Sequence, residues 1–228
     1  MLSTDVDRST YEEMSATMHQ QMFERLRALD VSSLADADKT MRVMSGPVRV
    51  SPGRALLGTA FTVRCTSDLF AVLDGLETAQ PGDVLVVETR DSPRAVCGEL
   101  IATEAERRGL AGIVIDGLCR DVAGLRRLSL PVYARGSRPD AGGAGVVDEL
   151  QRPLHCGGVE VHPGDIVFGD DDGVLVASAD QVLGALPAAE QIQRREEALV
   201  EHMRRGGSLF DHLDLSPVRE GTGPVVWR

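Results

Sequence analysis

Two short segments carry the side chains from which chemistry could be built. Asp116-Gly117-Leu118-Cys119-Arg120-Asp121 follows the apolar run Ile113-Val114-Ile115. Glu88-Thr89-Arg90-Asp91-Ser92-Pro93 follows Val84-Leu85-Val86-Val87 and leads on to Cys97-Gly98-Glu99-Leu100-Ile101. Arg120 beside Asp121 sets a guanidinium, whose planar fork matches a carboxylate, next to an oxygen ligand suited to a hard divalent cation. That pairing suits a 2-oxo acid: a cation held by few protein oxygens keeps several waters, polarises the keto oxygen and stabilises an enolate as a neighbouring C–C bond breaks. Spacing alone leaves a plainer reading open, in which Asp116 caps the following helix, Arg120 and Asp121 are a solvated pair and Glu99 is an exposed helix residue.

Other chemistries find little support. Cys65, Cys97, Cys119 and Cys156 form no C-x-x-C pair, so they read as small core residues of a reducing cytoplasm rather than zinc ligands or disulfides. His19, His155, His162, His202 and His212 show no H-x-x-x-H spacing that would put two on one helical face. With 24 Lys and Arg against 35 Asp and Glu, a net charge of −11 disfavours a nucleic-acid partner. The longest strongly apolar stretch, about Leu69 to Leu73, is far short of the roughly 20 residues that cross a bilayer, so neither a membrane span nor a secretory segment is expected.

The elements that position the two segments follow from the apolar pattern. Met14, Met18, Met22, Phe23, Leu26 and Leu29 stand near helical spacing between Tyr11 and Leu29, and a short second helix around Leu34 would be capped by Asp30, Ser32 or Ser33. Ala60-Phe61-Thr62-Val63-Arg64-Cys65 alternates as a strand. Pro81-Gly82-Asp83 turns into a strand over Val84–Val87, Ala95 to Arg108 reads as a helix stopped by Gly109, and Ile113–Ile115 reads as a strand. A helical segment from about Asp121 to Leu128 and a strand from Pro131 to Ala134 complete a β-α-β-α-β run, which implies parallel strands buried on both faces. Residues 146–178 read as antiparallel hairpins, and Asp180 to Arg205 as a helix ended by Gly206-Gly207. With 228 residues and 43% hydrophobic content, one α/β domain with a mixed sheet is favoured over two domains.

The residues Gly112-Ile113-Val114-Ile115-Asp116-Gly117-Leu118-Cys119-Arg120-Asp121 match the G-x-x-x-D-G-x-x-R-D signature of the RraA-like family, which includes the 4-hydroxy-4-methyl-2-oxoglutarate aldolases. Gly98-Glu99-Leu100-Ile101 resembles its G-[DE]-L-[LI] segment, at the family's spacing from Arg120. Leu34-Ala35-Asp36-Ala37, Gly58-Thr59-Ala60-Phe61-Thr62-Val63, Pro163-Gly164-Asp165 and Gly173-Val174 extend the resemblance over most of the chain. It implies a swivelling β/β/α domain spanning 1–228, with N-terminal helices within 1–40. It also implies a helix at 180–206 packed on a neighbouring subunit, in a homotrimer or homohexamer with its sites between subunits.

By position, the resemblance gives Arg120 the carboxylate and keto oxygen of pyruvate, and the N–H groups of Gly98, Glu99, Leu100 and Ile101 the same carboxylate. Asp121 would ligate Mg²⁺ or Mn²⁺, Glu99 would hold a water and move the substrate's hydroxyl proton, and Asp116 would organise the loop. A C-terminal glutamate reaching the neighbouring site would be Glu196, with Glu197 fitting almost as well; both also fit a solvent-facing helix with Glu–Arg pairs. Arg90, Arg94 and Arg138 are taken as a group of candidates for a distal carboxylate.

The function implied is a cytoplasmic, divalent-metal-dependent lyase. It would cleave 4-hydroxy-4-methyl-2-oxoglutarate or 4-carboxy-4-hydroxy-2-oxoadipate to pyruvate and an oxo acid, and would decarboxylate oxaloacetate. The alternative in the same family is a protein-binding regulator of ribonuclease E. Methyl transfer from S-adenosylmethionine is rejected: Gly142-Gly143-Ala144-Gly145 follows the third parallel strand with no clear helix after it, which a flexible surface loop explains better.

Overall fold

A computed structural model describes residues 18–53, 55–66, 69–143, 145 and 149–227. Its centre is a run of parallel strands: β3 (Leu56–Arg64), β4 (Asp83–Glu88), β6 (Gly112–Cys119) and β7 (Val132–Ser137) lie side by side, with the short β5 (Ala95–Cys97) paired to the end of β6. Parallel neighbours need crossovers, and these are α3 (Phe70–Thr78), α4 (Glu99–Arg107) and the single turn α5 (Val122–Leu125). Antiparallel strands extend both edges: β10 (Ile166–Gly169), β11 (Val174–Ala177) and β1 (Arg42–Val43) beyond β3, and β2 (Val48–Arg49) beyond β7. The sheet is therefore mixed, as the pattern implied. The hairpin β8 (Leu154–Cys156) and β9 (Val159–Val161) stands apart from it.

Because β4 and β6 are buried on both faces, alternate residues feed different cores. Leu85, Val87, Ile113 and Ile115 pack under α3 and α4, whereas Val84, Val86 and Val114 face Tyr133, Leu154, Cys156 and Val167. The sheet curls around this second core. Buried Tyr133 on β7 donates its hydroxyl to Asp170 O beyond β10 at 2.7 Å, and Arg49 on β2 binds Asp171 at 2.8 Å.

A third core joins the helix at 18–26 (α1), α2 (Val31–Ala37) and α6 (Ala179–Arg204) over β10 and β11. Met14 and the part of the predicted first helix before residue 18 lie outside the described residues. The α2 N-terminus is capped differently from expectation: no side chain of Asp30 caps it, and the Val31 N–H donates to Asp170 at 3.0 Å from across the fold. At α6, Ser178 and Gln181 form a capping box, and the helix runs through Pro187 to within one residue of the predicted end. Beyond Arg204 the described chain continues through a 3₁₀ turn (Leu209–Asp211), β12 (Leu213–Asp214), α7 (Ser216–Arg219) and β13 (Val226–Trp227), which the sequence pattern did not reveal.

Two departures matter for the site. Residues 95–97 are strand, not the start of a helix, because they pair with Leu118 and Cys119 of β6. Asp116–Cys119 is likewise strand rather than loop, with a register irregularity between Ile115 and Leu118.

Candidate active site

β5, the first turn of α4 and the end of β6 converge on one point. Cys97 and Cys119 are register partners, and Cys97 O accepts the Arg120 N–H at 2.9 Å. Strand pairing thus delivers Arg120 and Asp121 beside Gly98 and the start of α4. Asp121 holds a left-handed backbone (φ 57°, ψ 39°), which Asp tolerates better than most residues and which turns the chain from β6 into α5. Its side chain makes no cap to its own helix; instead Oδ2 accepts the Glu99 N–H of α4 at 3.2 Å. Arg120 Nε lies 3.5 Å from the same oxygen. The side chains of Arg120 and Asp121 are 38% and 44% exposed, so both remain available to a ligand.

Gly98 makes this approach possible. Its backbone is extended, so conformational freedom is not the reason for glycine here; a Cβ would run into Asp121 Oδ2 and come within 2.9 Å of Arg120 Cγ. Gly98→Ala is therefore expected to displace the Asp121 carboxylate and lower catalytic efficiency by on the order of 10-fold, while the melting temperature moves only slightly. Steady-state kinetics beside a thermal melt would check this.

Arg120 and Asp121 form the charged wall of a cavity of about 180 Å³ whose other walls include Leu69, Leu73, Leu100, Ile101 and Ala141. The N–H groups of Leu100 and Ile101, in the first turn of α4, have no acceptor among the described residues. A small anion at Arg120 would meet a guanidinium and a helix N-terminus among apolar walls, with the Asp121 carboxylate beside it.

Glu99 does not line that cavity. Its carboxylate lies against Gly124 of α5, where a Cβ would collide with it, and pairs with Arg127 Nη2 at 2.8 Å. The sequence reading missed Gly124 and Arg127; a glycine inside so short a helix was the available signal of close approach. Asp116 stands apart as well. It is on β6 facing the second core, held by Arg135 of β7 and by the Gly157 N–H of the β8–β9 turn at 2.9 Å. There it ties the hairpin to the sheet, while Thr89 Oγ1 donates to Asp116 O at 2.6 Å across Gly117. Asp116 is thus a mid-strand residue and no helix cap. Glu196 is exposed on α6, outside the cavity lining, and α6 packs on α2 and the β10–β11 region rather than on α4. Glu197 contacts Gln193 at 3.2 Å. Within one chain, neither Asp116 nor Glu196 is brought to Arg120.

The donor set limits which metal could bind. Among the described residues no three His, Cys, Asp or Glu side chains are gathered for a metal, so these residues build no zinc or calcium cage. Asp121 Oδ1 accepts no protein hydrogen bond among the described residues. A lone carboxylate with a free oxygen beside a small cavity fits Mg²⁺ or Mn²⁺ carrying most of its ligands as water and substrate oxygens. All four cysteines are buried, and burial pushes the Cys97 thiol up to about 12, so it stays a neutral wall residue. No helix among the described residues is long and apolar enough to cross a membrane.

Comparison with known proteins places this geometry in context. The family model described as RraA-like, Aldolase/RraA, matches residues 30–176. A Halalkalibacterium halodurans protein named "Putative 4-hydroxy-4-methyl-2-oxoglutarate aldolase" is 32% identical over 177 residues, covering 76% of this chain and 84% of its own. The structure of Streptomyces coelicolor RraAS2, an unusual member of the RNase ES inhibitor RraA protein family, superposes with a TM-score of 0.69 at 29% identity, over 78% of this chain and 94% of that one. The RNA-processing inhibitor RraA from Thermus thermophilis gives a TM-score of 0.61 at 29% identity, over 64% and 91%.

Proposed function

This chain belongs to the RraA-like (Aldolase/RraA) family, and we propose that it is a divalent-metal-dependent pyruvate lyase. It would cleave 4-hydroxy-4-methyl-2-oxoglutarate or 4-carboxy-4-hydroxy-2-oxoadipate to pyruvate and a second oxo acid, and would decarboxylate oxaloacetate. The observation that carries this reading is the placing of Arg120 and Asp121 on one wall of a small cavity at the start of α4.

Arg120 would hold the substrate's C1 carboxylate and 2-oxo oxygen, with the free N–H groups of Leu100 and Ile101 on the same carboxylate. A hydrated Mg²⁺ or Mn²⁺ bound at Asp121 would supply Lewis-acid polarisation of the 2-oxo group. Glu99, released from Arg127, would take the C4 hydroxyl proton through a water. The C3–C4 bond then breaks, its electron pair passing to the C2–C3 enolate of pyruvate while C4 becomes the carbonyl of the departing oxo acid. Glu99 would return that proton through the water to C3, giving pyruvate. Arg120 would balance charge as it builds on the enolate oxygen, and the apolar walls from Leu69, Leu73 and Ile101 would limit water. Oxaloacetate loses CO₂ to the same enolate and needs no hydroxyl base. In a homotrimer or homohexamer, Glu196 on the outer part of α6 would serve a neighbouring subunit's site.

Likeness to RraA proteins named as RNase inhibitors supports a second reading, a regulator that binds a ribonuclease without catalysis. Pyruvate release from oxaloacetate and from 4-hydroxy-4-methyl-2-oxoglutarate, with Mg²⁺ and with EDTA, separates the two. Metal-dependent release from both is the expected result; none from either would favour the regulator.

A further inference from the structure

The Arg120 wall accounts for one end of a substrate only. Beyond β5 the chain carries a second cationic group that this role leaves unused. Residues 138–142 run alongside the cavity wall: the Arg138 N–H donates to Cys119 O at 2.9 Å, the Ala95 N–H to Asp140 O at 3.0 Å and the Gly142 N–H to Ala95 O at 3.2 Å. These bonds fix Arg94 and Arg138 on either side of Asp140. Arg138 Nε binds one carboxylate oxygen, and Arg94 Nη1 lies 3.4 Å from the other and 3.4 Å from the carbonyl of Ala141, which together with Ala95 lines the cavity.

The charges do not balance. Two guanidinium groups share a single carboxylate, which the Arg138 hydrogen bond holds below its ordinary pKa, so the three-residue cluster keeps one excess positive charge. Arg94 Nε and Nη2 and both terminal nitrogens of Arg138 have no acceptor among the described residues. The side chains are 53% and 42% exposed. A second carboxylate could therefore bind without displacing Asp140. Along β5, residue 94 is three extended residues from Cys97, roughly 10 Å. Arg120 at one end and the Arg94–Arg138 pair behind Ala95 and Ala141 at the other are spaced to meet the two carboxylates of a five- or six-carbon diacid.

We propose that Arg94 and Arg138, oriented by Asp140, are the residues that receive the distal carboxylate of the diacid substrate. Arg90 is not part of this subsite: it stands in the turn after β4 with a left-handed backbone (φ 48°), and among the described residues the ion pairs of Asp140 are with Arg94 and Arg138. The assignment rests on Arg120 holding the 2-oxo acid head, as proposed above.

Equilibrium binding of two probes tests it in the full chain with Mg²⁺. 2-Oxoglutarate carries both carboxylates; 2-oxopentanoate has the same head and length without the second. The unchanged protein should favour 2-oxoglutarate by on the order of 10-fold or more, as expected for charge-assisted hydrogen bonds. Arg94→Gln combined with Arg138→Gln should erase that preference while 2-oxopentanoate affinity shifts by no more than about twofold. A preference that survives in the double variant, or no preference in the unchanged protein, overturns the subsite. An equal loss for both probes overturns it too, because the pair would then be serving the shared head or the fold; a thermal melt separates those causes. Pyruvate release by the same samples keeps the two readings apart: without turnover but with a diacid preference that the double variant loses, the lyase reading fails and the subsite stands.

Discussion

Arg120→Ala is expected to lower kcat/KM for pyruvate release by on the order of 10²-fold or more, ~3 kcal/mol of transition-state stabilisation, and to abolish inhibition by oxalate in the same protein. Oxalate presents two adjacent carboxylate groups in one plane, much as the enolate of pyruvate presents its carboxylate and charged oxygen. An arginine that holds the ground-state carboxylate alone would raise KM and leave kcat in place. One that also faces the developing enolate oxygen should lower kcat as well. Arg120 is suited to the second role: its backbone N–H is bonded to Cys97 O, its Nε lies 3.5 Å from Asp121, and its side chain forms cavity wall. Because that side chain is partly exposed and contributes little to the core, the variant should fold normally. Full activity would return Arg120 and Asp121 to the plainer role of a solvated ion pair.

The elements around this residue were legible where local pattern and tertiary pairing agree. Gly109 ends α4 with a left-handed φ of 77°, and the apolar runs at 84–87 and 113–115 lie inside parallel strands, because both signals are local. Ala95-Val96-Cys97 was not legible: three residues just before a helix look like its first turn, and only their pairing with Leu118 and Cys119 makes them strand. Asp116-Gly117 has turn composition, yet Gly117 is the gap that Thr89 fills between neighbouring strands. The partners of Asp116, Arg135 and Gly157, are 19 and 41 residues away in the chain, and no periodicity encodes contacts of that range.

Arg120, Asp121, Gly98 and the α4 N-terminus were recognisable together because a motif compresses their geometry into fixed spacing. The cavity's other walls come from α3 and from residue 141, elements whose approach depends on how the crossovers pack. The same is true of the Arg94–Asp140–Arg138 cluster. Composition offered three arginines as equals, and the backbone bonds of 138–142 distinguish two of them from Arg90. The family signature thus marks the half of the site proposed to meet the oxo-acid head, while the half proposed to meet the rest of a substrate depends on loop packing that no local motif encodes.

Asp121→Asn is the sharper test of the metal assignment. Alanine at a backbone φ of 57° would add a conformational cost of about 1–2 kcal/mol, whereas asparagine tolerates the left-handed region, matches aspartate in size and still offers an oxygen to the Glu99 N–H. The substitution removes the charge and little else. Turnover should fall by on the order of 10³-fold, and raising Mg²⁺ or Mn²⁺ should not restore it, since a neutral amide oxygen is a poor replacement for the carboxylate proposed to hold the metal. Circular dichroism and melting temperature should stay close to those of the unchanged protein, because Asp121 is 44% exposed and anchors only the first turn of α4. A variant that keeps full metal-dependent activity would move the cation to other ligands. A variant that is active and indifferent to EDTA would remove the metal from the proposal and leave Arg120 and the α4 N–H groups to carry the enolate's charge.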